Sequence, residues 1–560
     1  MASLVNIRFL PSRHSIQVEA GTTILEAARR AGALIEAPCN GAGTCGKCRV
    51  KLAERFRPFV RSGGEHHLTA EDEADGWVLA CESVVTGHIE VEIPQGISSH
   101  SLQIISHGLA RPVVVKPFFT KAYDHKAGET RIIAGGDVVA IEPGDRSARL
   151  FGVVVDIGTT TLVASLVDIG SGEERATASA LNPQSLHGQD VLSRIKFASE
   201  PAGREQMHTE LIREINRLIG QVAATAAIDC GDIAEVIFSG NTCMLHLATD
   251  TDPSSLGKHP YRPVITGGNH VRAHALGLAV APYGLVYLPP ILSAYVGADI
   301  TAGILAAGLS EQQGVTLFVD IGTNGEMVLA VDGAMAAAST AAGPAFEGMN
   351  ITCGMRAGRG AIERFYVEAD GAVTIKTIEE AAPAGICGSG LLDIAGELVA
   401  CGVIDKRGRF VRPDRSTLPE ALRERVIACE GKPAFRIAGD IVLTQKDVRQ
   451  IQLAKGAIRA GVELLLRSRG VEADQVDRVF IAGSFGYHLQ ARSLIQIGLL
   501  PEVFDGKIEF LGNTSKTGGQ ALLLNGDLRR QLEALVPSVE VIELADYGDF
   551  DQVFVGCLGF

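Results

Sequence analysis

Four cysteines in this sequence are spaced to hold a redox metal centre. The stretch Cys39-Asn-Gly-Ala-Gly-Thr-Cys45-Gly-Lys-Cys48 puts three thiols within ten residues, and Cys81 follows 33 positions after Cys48. A [2Fe–2S] cluster needs four thiolates, two on each iron. A loop around such a cluster must wrap tightly and turn backbone N–H groups toward the sulfides. Gly41, Gly43 and Gly46 supply the unusual φ/ψ values that this requires. Four cysteines can also build a structural zinc site. Zinc sites usually pair two short hooks, whereas here three thiols cluster and one stands apart, which favours the iron–sulfur reading.

A second chemistry is written twice. Phe151-Gly-Val-Val-Val-Asp156-Ile-Gly158-Thr-Thr-Thr161 recurs in form as Val315-Thr-Leu-Phe-Val-Asp320-Ile-Gly322-Thr-Asn-Gly-Glu326, with the two aspartates 164 residues apart. Each copy is an apolar run, an Asp and then Ile-Gly-Thr, which predicts a buried strand feeding a tight hairpin. Glycine lets backbone approach a phosphate, and hydroxyls and N–H groups bind its oxygens. The aspartate can position Mg²⁺ or its waters. Candidate phosphate ligands are Thr159, Thr160, Thr161, Gly322, Thr323 and Asn324, with Asp156 and Asp320 for Mg²⁺. Glu326 and Asp299 are the candidates to orient an attacking water. For Asp299 the alternative is a charge at a helix N-terminus, and for Glu326 a plain hairpin partner. A third stretch, Val479-Phe-Ile-Ala-Gly483-Ser484-Phe485-Gly486, reads as a strand and a glycine turn suited to an adenosine and its α-phosphate.

Composition narrows the classes. At 560 residues, 46% hydrophobic and 21% charged, the chain is globular and long enough for two or more domains. A net charge of −14 argues against nucleic acid as a partner, because phosphate backbones call for basic surface. No signal peptide and no run of 18 apolar residues is seen, so the expectation is a cytoplasmic protein without a membrane span. Of eleven cysteines, the seven outside the cluster set lack ligand spacing and read as small buried hydrophobes in a reducing compartment.

The elements that must position these groups follow in order. Residues 1–94 predict strands at Val5 to Leu10 and Ser15 to Glu19, a helix opened by the Thr23-Ile-Leu-Glu26 capping pattern, then the cysteine loop and further strands. This is a β-grasp order. His66 and His67 read as solvated loop residues rather than metal ligands. Residues 95–150 predict a connector with one small, reduced middle subdomain, able either to let the cluster swing or simply to tether it. Residues 151–560 predict a duplicated α/β domain with lobes at roughly 151–313 and 314–560. His246 reads as a satisfied core histidine, Ser389 as a residue at a helix N-terminus, and the helix opened by Gln445 as packing between lobes.

The set of phosphate, phosphate and adenosine stretches resembles the superfamily of acetate and sugar kinases, heat-shock chaperone ATPases and actin. That resemblance implies two RNase H-like lobes clamping ATP. Residues 1–94 resemble [2Fe–2S] ferredoxins, and the five-residue first gap is similar to the adrenodoxin and putidaredoxin branch. Further stretches narrow the family: Asn182-Pro-Gln, Ser239-Gly-Asn-Thr-Cys-Met-Leu-His246, Tyr295-Val-Gly-Ala-Asp299, Ala341-Ala-Gly-Pro-Ala-Phe-Glu-Gly348, Ile386-Cys-Gly-Ser-Gly390 and Gly512-Asn-Thr-Ser515. Together with the ferredoxin domain, these resemble the reductive activators of corrinoid proteins over nearly the whole chain. The resemblance implies ATP-driven electron transfer from the [2Fe–2S] cluster to Co(II), regenerating Co(I) for a methyltransferase system. The implied partners are a corrinoid protein and an upstream electron donor, and a homodimer is an assembly open to the chain. Alternatives of other classes are a small-molecule kinase with a redox-regulatory ferredoxin domain, a 2-hydroxyacyl-CoA dehydratase type of activator, and an actin-like binding module.

Overall fold

The computed structural model describes residues 4–10, 15–31, 33, 35, 48–63, 68, 70–93, 102–103, 112–188, 190–348, 350–355, 357–412, 418–429, 431–483 and 489–560. Cys39, Cys45, His66, His67, Ser484, Phe485, Gly486 and most of the stretch 94–111 lie outside the described residues. The chain divides into two compact units, Met1–Pro112 and Val113–Phe560.

In the first unit, alternation of buried and exposed residues along Leu4–Leu10 makes a strand with one core face. It pairs antiparallel with Ser15–Glu19 and parallel with Ile89–Glu92, placing Val5 beside Val18 and Ile7 beside Ile89. The five-stranded sheet is completed by Arg49–Leu52 and Trp77–Leu79. Helix Ile24–Ala31 lays Ile24, Leu25, Ala27 and Ala28 onto Ile7, Phe9, Val50 and Val91. Thr23 Oγ1 accepts the Glu26 N–H at 3.2 Å. The Glu26 carboxylate turns to Arg30 instead of back to the cap, so only half of the expected capping box forms.

The second unit begins with a three-stranded antiparallel sheet, Phe119–Asp124, Glu129–Ala134 and Asp137–Pro143. It is anchored by polar contacts rather than left as loose chain. Lys121, its side chain wholly enclosed, pairs with Glu142 at 2.8 Å, and Tyr283 donates to the same carboxylate. Arg146 and Arg149 both grip the buried Asp232.

The two lobes repeat one pattern. Phe151–Ile157 pairs antiparallel with Thr161–Asp168, which pairs with Glu174–Leu181, and on its other side it runs parallel to Ile233–Gly240. Val315–Ile321 pairs antiparallel with Gly325–Val331, which pairs with Ala334–Thr340, and runs parallel to Arg478–Ala482. Asp156 and Asp320 stand at matching registers, beside Ser239 and Ala482. The central strands are buried almost throughout, which is why they read as apolar runs rather than alternating ones.

Helix Thr514–Leu524 leaves the second sheet and packs on Ala298–Ala307 and on the first lobe's strands. A Cβ on Gly518 would lie 2.1 Å from the Ala302 carbonyl oxygen, so this crossing needs glycine. The next helix, Gly526–Leu535, carries Arg529 into a bidentate pair with Glu235 at 2.7 and 2.9 Å, both side chains buried. Burial alone would raise the Glu235 carboxyl, yet Arg529 and His270 hold it below its usual range.

His246 is fully buried; its Nδ1 pairs with the Thr242 carbonyl and its Nε2 accepts the Val264 N–H, so it is a satisfied core histidine. Ser389 lies in the first turn of Gly388–Ala400. Helix Gln445–Ser468, capped by Thr444 and Asp447, packs under strands Gly325–Val331 and Ala334–Thr340 of its own lobe. The expected packing between lobes is therefore corrected: Ala454, Ala457 and Ala460 are buried on this helix, and its neighbours are its own lobe's strands. Among the described residues no helix is long and apolar enough to cross a membrane.

Removing one partner of the buried Arg529–Glu235 pair should cost far more than removing both. Glu235→Ala is expected to destabilise the second unit by about 3–5 kcal/mol, read by urea unfolding followed with far-UV circular dichroism. Glu235→Met combined with Arg529→Leu should recover most of that loss. Equal losses in both variants would contradict a charge left unpaired.

Candidate functional site

Each repeated hairpin turns where the sequence places its glycine. A Cβ on Gly158 would stand 2.6 Å from the Thr161 carbonyl oxygen, so the first turn closes only on glycine. Gly483, at φ +121°, ends strand Arg478–Ala482 against the second hairpin, where a Cβ would meet the Ile321 carbonyl at 2.5 Å. Both turns face one cleft. Asp156, Gly158, Thr159, Thr160 and Thr161 line it from the first lobe, and Asp320, Gly322, Thr323, Asn324 and Glu326 from the second. Asp299, in the first turn of Ala298–Ala307, and Gly483 also line it. The hydroxyls of Thr160 and Thr323 meet at 3.3 Å, so the two hairpins touch.

The structure therefore brings together every described residue assigned to phosphate, cation or water chemistry. It adds four that had no role. Asn513 Nδ2 and Ser515 Oγ donate to the two oxygens of Asp156 at 2.7 and 2.8 Å. Asn241 donates to Thr159 Oγ1 at 3.0 Å, and Glu347 accepts from Thr323 Oγ1 at 2.5 Å. All four lie in stretches that stood out as distinctive in the sequence. For Asn241, Asn513 and Ser515 the available signal was an Asn followed by Thr after an apolar strand, and Glu347 had none. Both asparagines cap the helices that follow, through the N–H groups of Met244 and Lys516.

The electrostatics of the cleft are severe. Asp320 and Glu326 are direct cross-strand partners, so two carboxyls stand side by side. Burial first, and Asp156 second, push Asp299 up to about 7. Burial, then Asp299 and Asp156, push Asp320 up to about 8. Glu326 is driven well above the carboxylate range by burial and by Asp299 and Asp320. Burial also raises Asp156, opposed by Asn513, Ser515 and Lys516. Asp156, Asp299 and Asp320 keep part of their surface open to the cleft, so solvent tempers these shifts. Among the described residues no three His, Cys, Asp or Glu side chains converge as a closed metal cage would require. Mg²⁺ does not need one: it binds through one or two carboxylates and completes its shell with waters and phosphate oxygens. The donor set fits that mode.

In the first unit, Cys48 precedes strand Arg49–Leu52 and Cys81 follows Trp77–Leu79, and the Ala80 N–H bonds the Cys48 carbonyl. The two sulfurs lie 3.2 Å apart, and the Cys81 N–H points to Cys48 Sγ at 3.5 Å. A disulfide would bring them to about 2.05 Å, so this is an open thiol pair with a backbone donor, as a cluster loop requires. Cys39 and Cys45 lie outside the described residues, as do Ser484, Phe485 and Gly486.

Comparison with known proteins agrees with this geometry. The chain is 30% identical to the corrinoid activation enzyme RamQ of Eubacterium limosum, over 92% of each chain. It belongs to the family of reductive activators of corrinoid proteins. A solved structure of a reductive activator for corrinoid, iron-sulfur protein superposes with a TM-score of 0.76 at 31% identity, covering 99% of this chain and 98% of that one. The [Co(II) methylated amine-specific corrinoid protein] reductase of Methanosarcina barkeri is 27% identical over 67% of this activator and 70% of its own length. Family descriptions match in sequence: a 2Fe-2S iron-sulfur cluster binding domain at residues 7–86, the RACo middle region at 151–312, and the C-terminal domain of RACo, the ASKHA domain, at 314–560. The family's middle region thus corresponds to the whole first lobe.

The raised carboxyls give a signed pH dependence. In the folded activator Asp299 and Asp320 bind protons between the ordinary carboxylate value of about 3.9 and about 7 and 8. The folded state then holds more protons than the unfolded state, so stability falls as pH rises through that window. The thermal midpoint of the nucleotide- and Mg²⁺-free protein should drop from pH 5 to pH 8. Asp320→Asn should raise the midpoint at pH 8 more than at pH 5. An equal effect at both pH values would contradict the assignment.

Proposed function

We propose that the cleft binds Mg·ATP, and that its turnover drives an electron from the [2Fe–2S] cluster held by Cys39, Cys45, Cys48 and Cys81 to the Co(II) of a corrinoid protein, regenerating Co(I). The observation that carries this reading is the convergence of both Asp-Ile-Gly-Thr hairpins on one acidic cleft. Thr159, Thr160 and Thr161 would take phosphate oxygens from one side, and Thr323, Asn324 and the Gly322 turn from the other. Asp156 and Asp320 would hold Mg²⁺ through its waters, and the cation would supply the charge that lets the crowded carboxyls ionise. Asp299 already spends one oxygen on the Ile300 N–H. Glu326 likewise accepts from the Asn324 side chain, and the two carboxyls together would orient the attacking water. Gly483 with Ser484, Phe485 and Gly486 would form the adenosine bed.

The energetics explain why ATP is needed. A plant-type [2Fe–2S] centre sits near about −400 mV, and base-on Co(II) is harder to reduce than that. Only an interaction that differs between states can shift such a balance. Tight docking that strips the lower axial ligand from cobalt provides one, and nucleotide turnover would release the complex. The electron must reach the cluster from an upstream donor. None of the nine described cysteines forms a disulfide, which supports a reducing, cytoplasmic setting.

The test is made anaerobically with reduced protein and a Co(II) corrinoid protein, with and without ATP, following Co(I) absorbance. Cys45→Ser should abolish electron transfer and leave nucleotide binding intact. Asp320→Ala should weaken Mg·ATP binding at least tenfold and leave the cluster's visible spectrum unchanged. Phosphorylation of a metabolite without ATP-dependent Co(I) would favour the kinase alternative and sink this one.

A further inference from the structure

Asn182-Pro-Gln and Asn241 to His246 are two of the distinctive stretches of the sequence. In the fold they meet behind the first hairpin, around a buried cation. Arg194, on helix Val191–Ala198, is fully enclosed. It donates to the Gly188 carbonyl at 2.9 Å, to Gln184 Oε1 at 3.3 Å, to Met244 Sδ at 3.2 Å and to the Thr159 carbonyl at 2.5 Å. Every one of these acceptors is uncharged. Asp190 and Glu347 act on it only through space, and each has a hydroxyl partner of its own in Ser193 and Thr323. Burial lowers the guanidinium to about 10, so it stays charged at neutral pH.

Three successive hairpin carbonyls are pulled toward this side. Asn182 Nδ2 donates to Gly158 O at 2.8 Å, Arg194 to Thr159 O, and the Asn182 N–H to Thr160 O at 2.9 Å. A trans peptide sets each carbonyl opposite the next residue's N–H. The N–H groups of Thr159 and Thr160 are thereby turned the other way, on the stretch that lines the cleft. Among the described residues neither N–H has a partner. Successive free N–H groups of this kind form an anion-binding concavity. The second lobe holds its equivalent loop differently, with the neutral Gly343 N–H on the Thr323 carbonyl.

We propose that Arg194 is a positioning residue for the first hairpin: it aims the Thr160 N–H into the cleft and sets a fixed positive charge behind it, so that the site favours the more highly charged nucleotide. This rests on reading the cleft as a nucleotide site. A purely structural arginine would weaken all ligands alike. A charge behind the loop acts in proportion to ligand charge.

The experiment measures Mg·ATP and Mg·ADP affinities by calorimetry on the full-length protein, with thermal midpoints recorded alongside. Arg194→Gln should weaken ATP about tenfold and ADP about threefold or less, lowering the ATP-to-ADP preference. Arg194→Lys keeps the charge and should weaken both while holding the preference within about twofold of wild type. Equal weakening of both nucleotides by Arg194→Gln, or no weakening, overturns the proposal. If Arg194→Gln does not fold, Arg194→Lys decides alone, and a collapsed preference there overturns it. A wild type that binds neither nucleotide would overturn the reading of the cleft itself, and this assignment with it.

Discussion

The clasp on Asp156 is the constraint on which the second unit's chemistry depends. Its two oxygens are held by Asn513 and Ser515, which lie 357 and 359 residues further along the chain. These residues open the helix that crosses from the second sheet onto the first lobe. The first hairpin therefore acquires its charged geometry only when the second lobe is folded and docked. The buried Arg529–Glu235 pair ties down the next helix in the same crossing. Neither lobe carries a complete site.

That assembly creates an electrostatic problem that only a ligand solves well. Asp156, Asp299, Asp320 and Glu326 are gathered where burial raises all four and neighbouring carboxylates push Asp299, Asp320 and Glu326 further. Without a cation, protons must neutralise part of this charge near pH 7. A bound Mg²⁺ and the backbone donors around a phosphate would replace those protons. The differential interaction between empty and loaded clefts is the kind of term that can move a conformational equilibrium. The contact between Thr160 and Thr323 joins the two hairpins within the cleft.

Much of this was legible in the sequence because it is local. The cysteine spacing, the β-grasp order and the two Asp-Ile-Gly-Thr turns each lie within a few residues, where glycine and threonine have direct geometric consequences. What stayed illegible depends on contacts between distant segments. Asn241, Glu347, Asn513 and Ser515 sat in stretches already seen as distinctive, but a single sequence does not say which distant loop they serve. The Gln445–Ser468 helix shows the same limit: packing was expected between the lobes, and the partner proved to be its own lobe's sheet. Arg194 carried no sequence signal, since an arginine on a short amphipathic helix ordinarily faces water.

Nucleotide in the cleft is expected to change how far the electron moves toward cobalt. The most direct measurement holds a stoichiometric mixture of this protein and a corrinoid protein at a fixed ambient potential near the cluster's own. The fraction of Co(I) is read by absorbance before and after Mg·ATP is added. Co(I) is expected to rise on adding Mg·ATP, and Asp320→Ala should abolish the rise. A Co(I) fraction that is the same with and without Mg·ATP would contradict it.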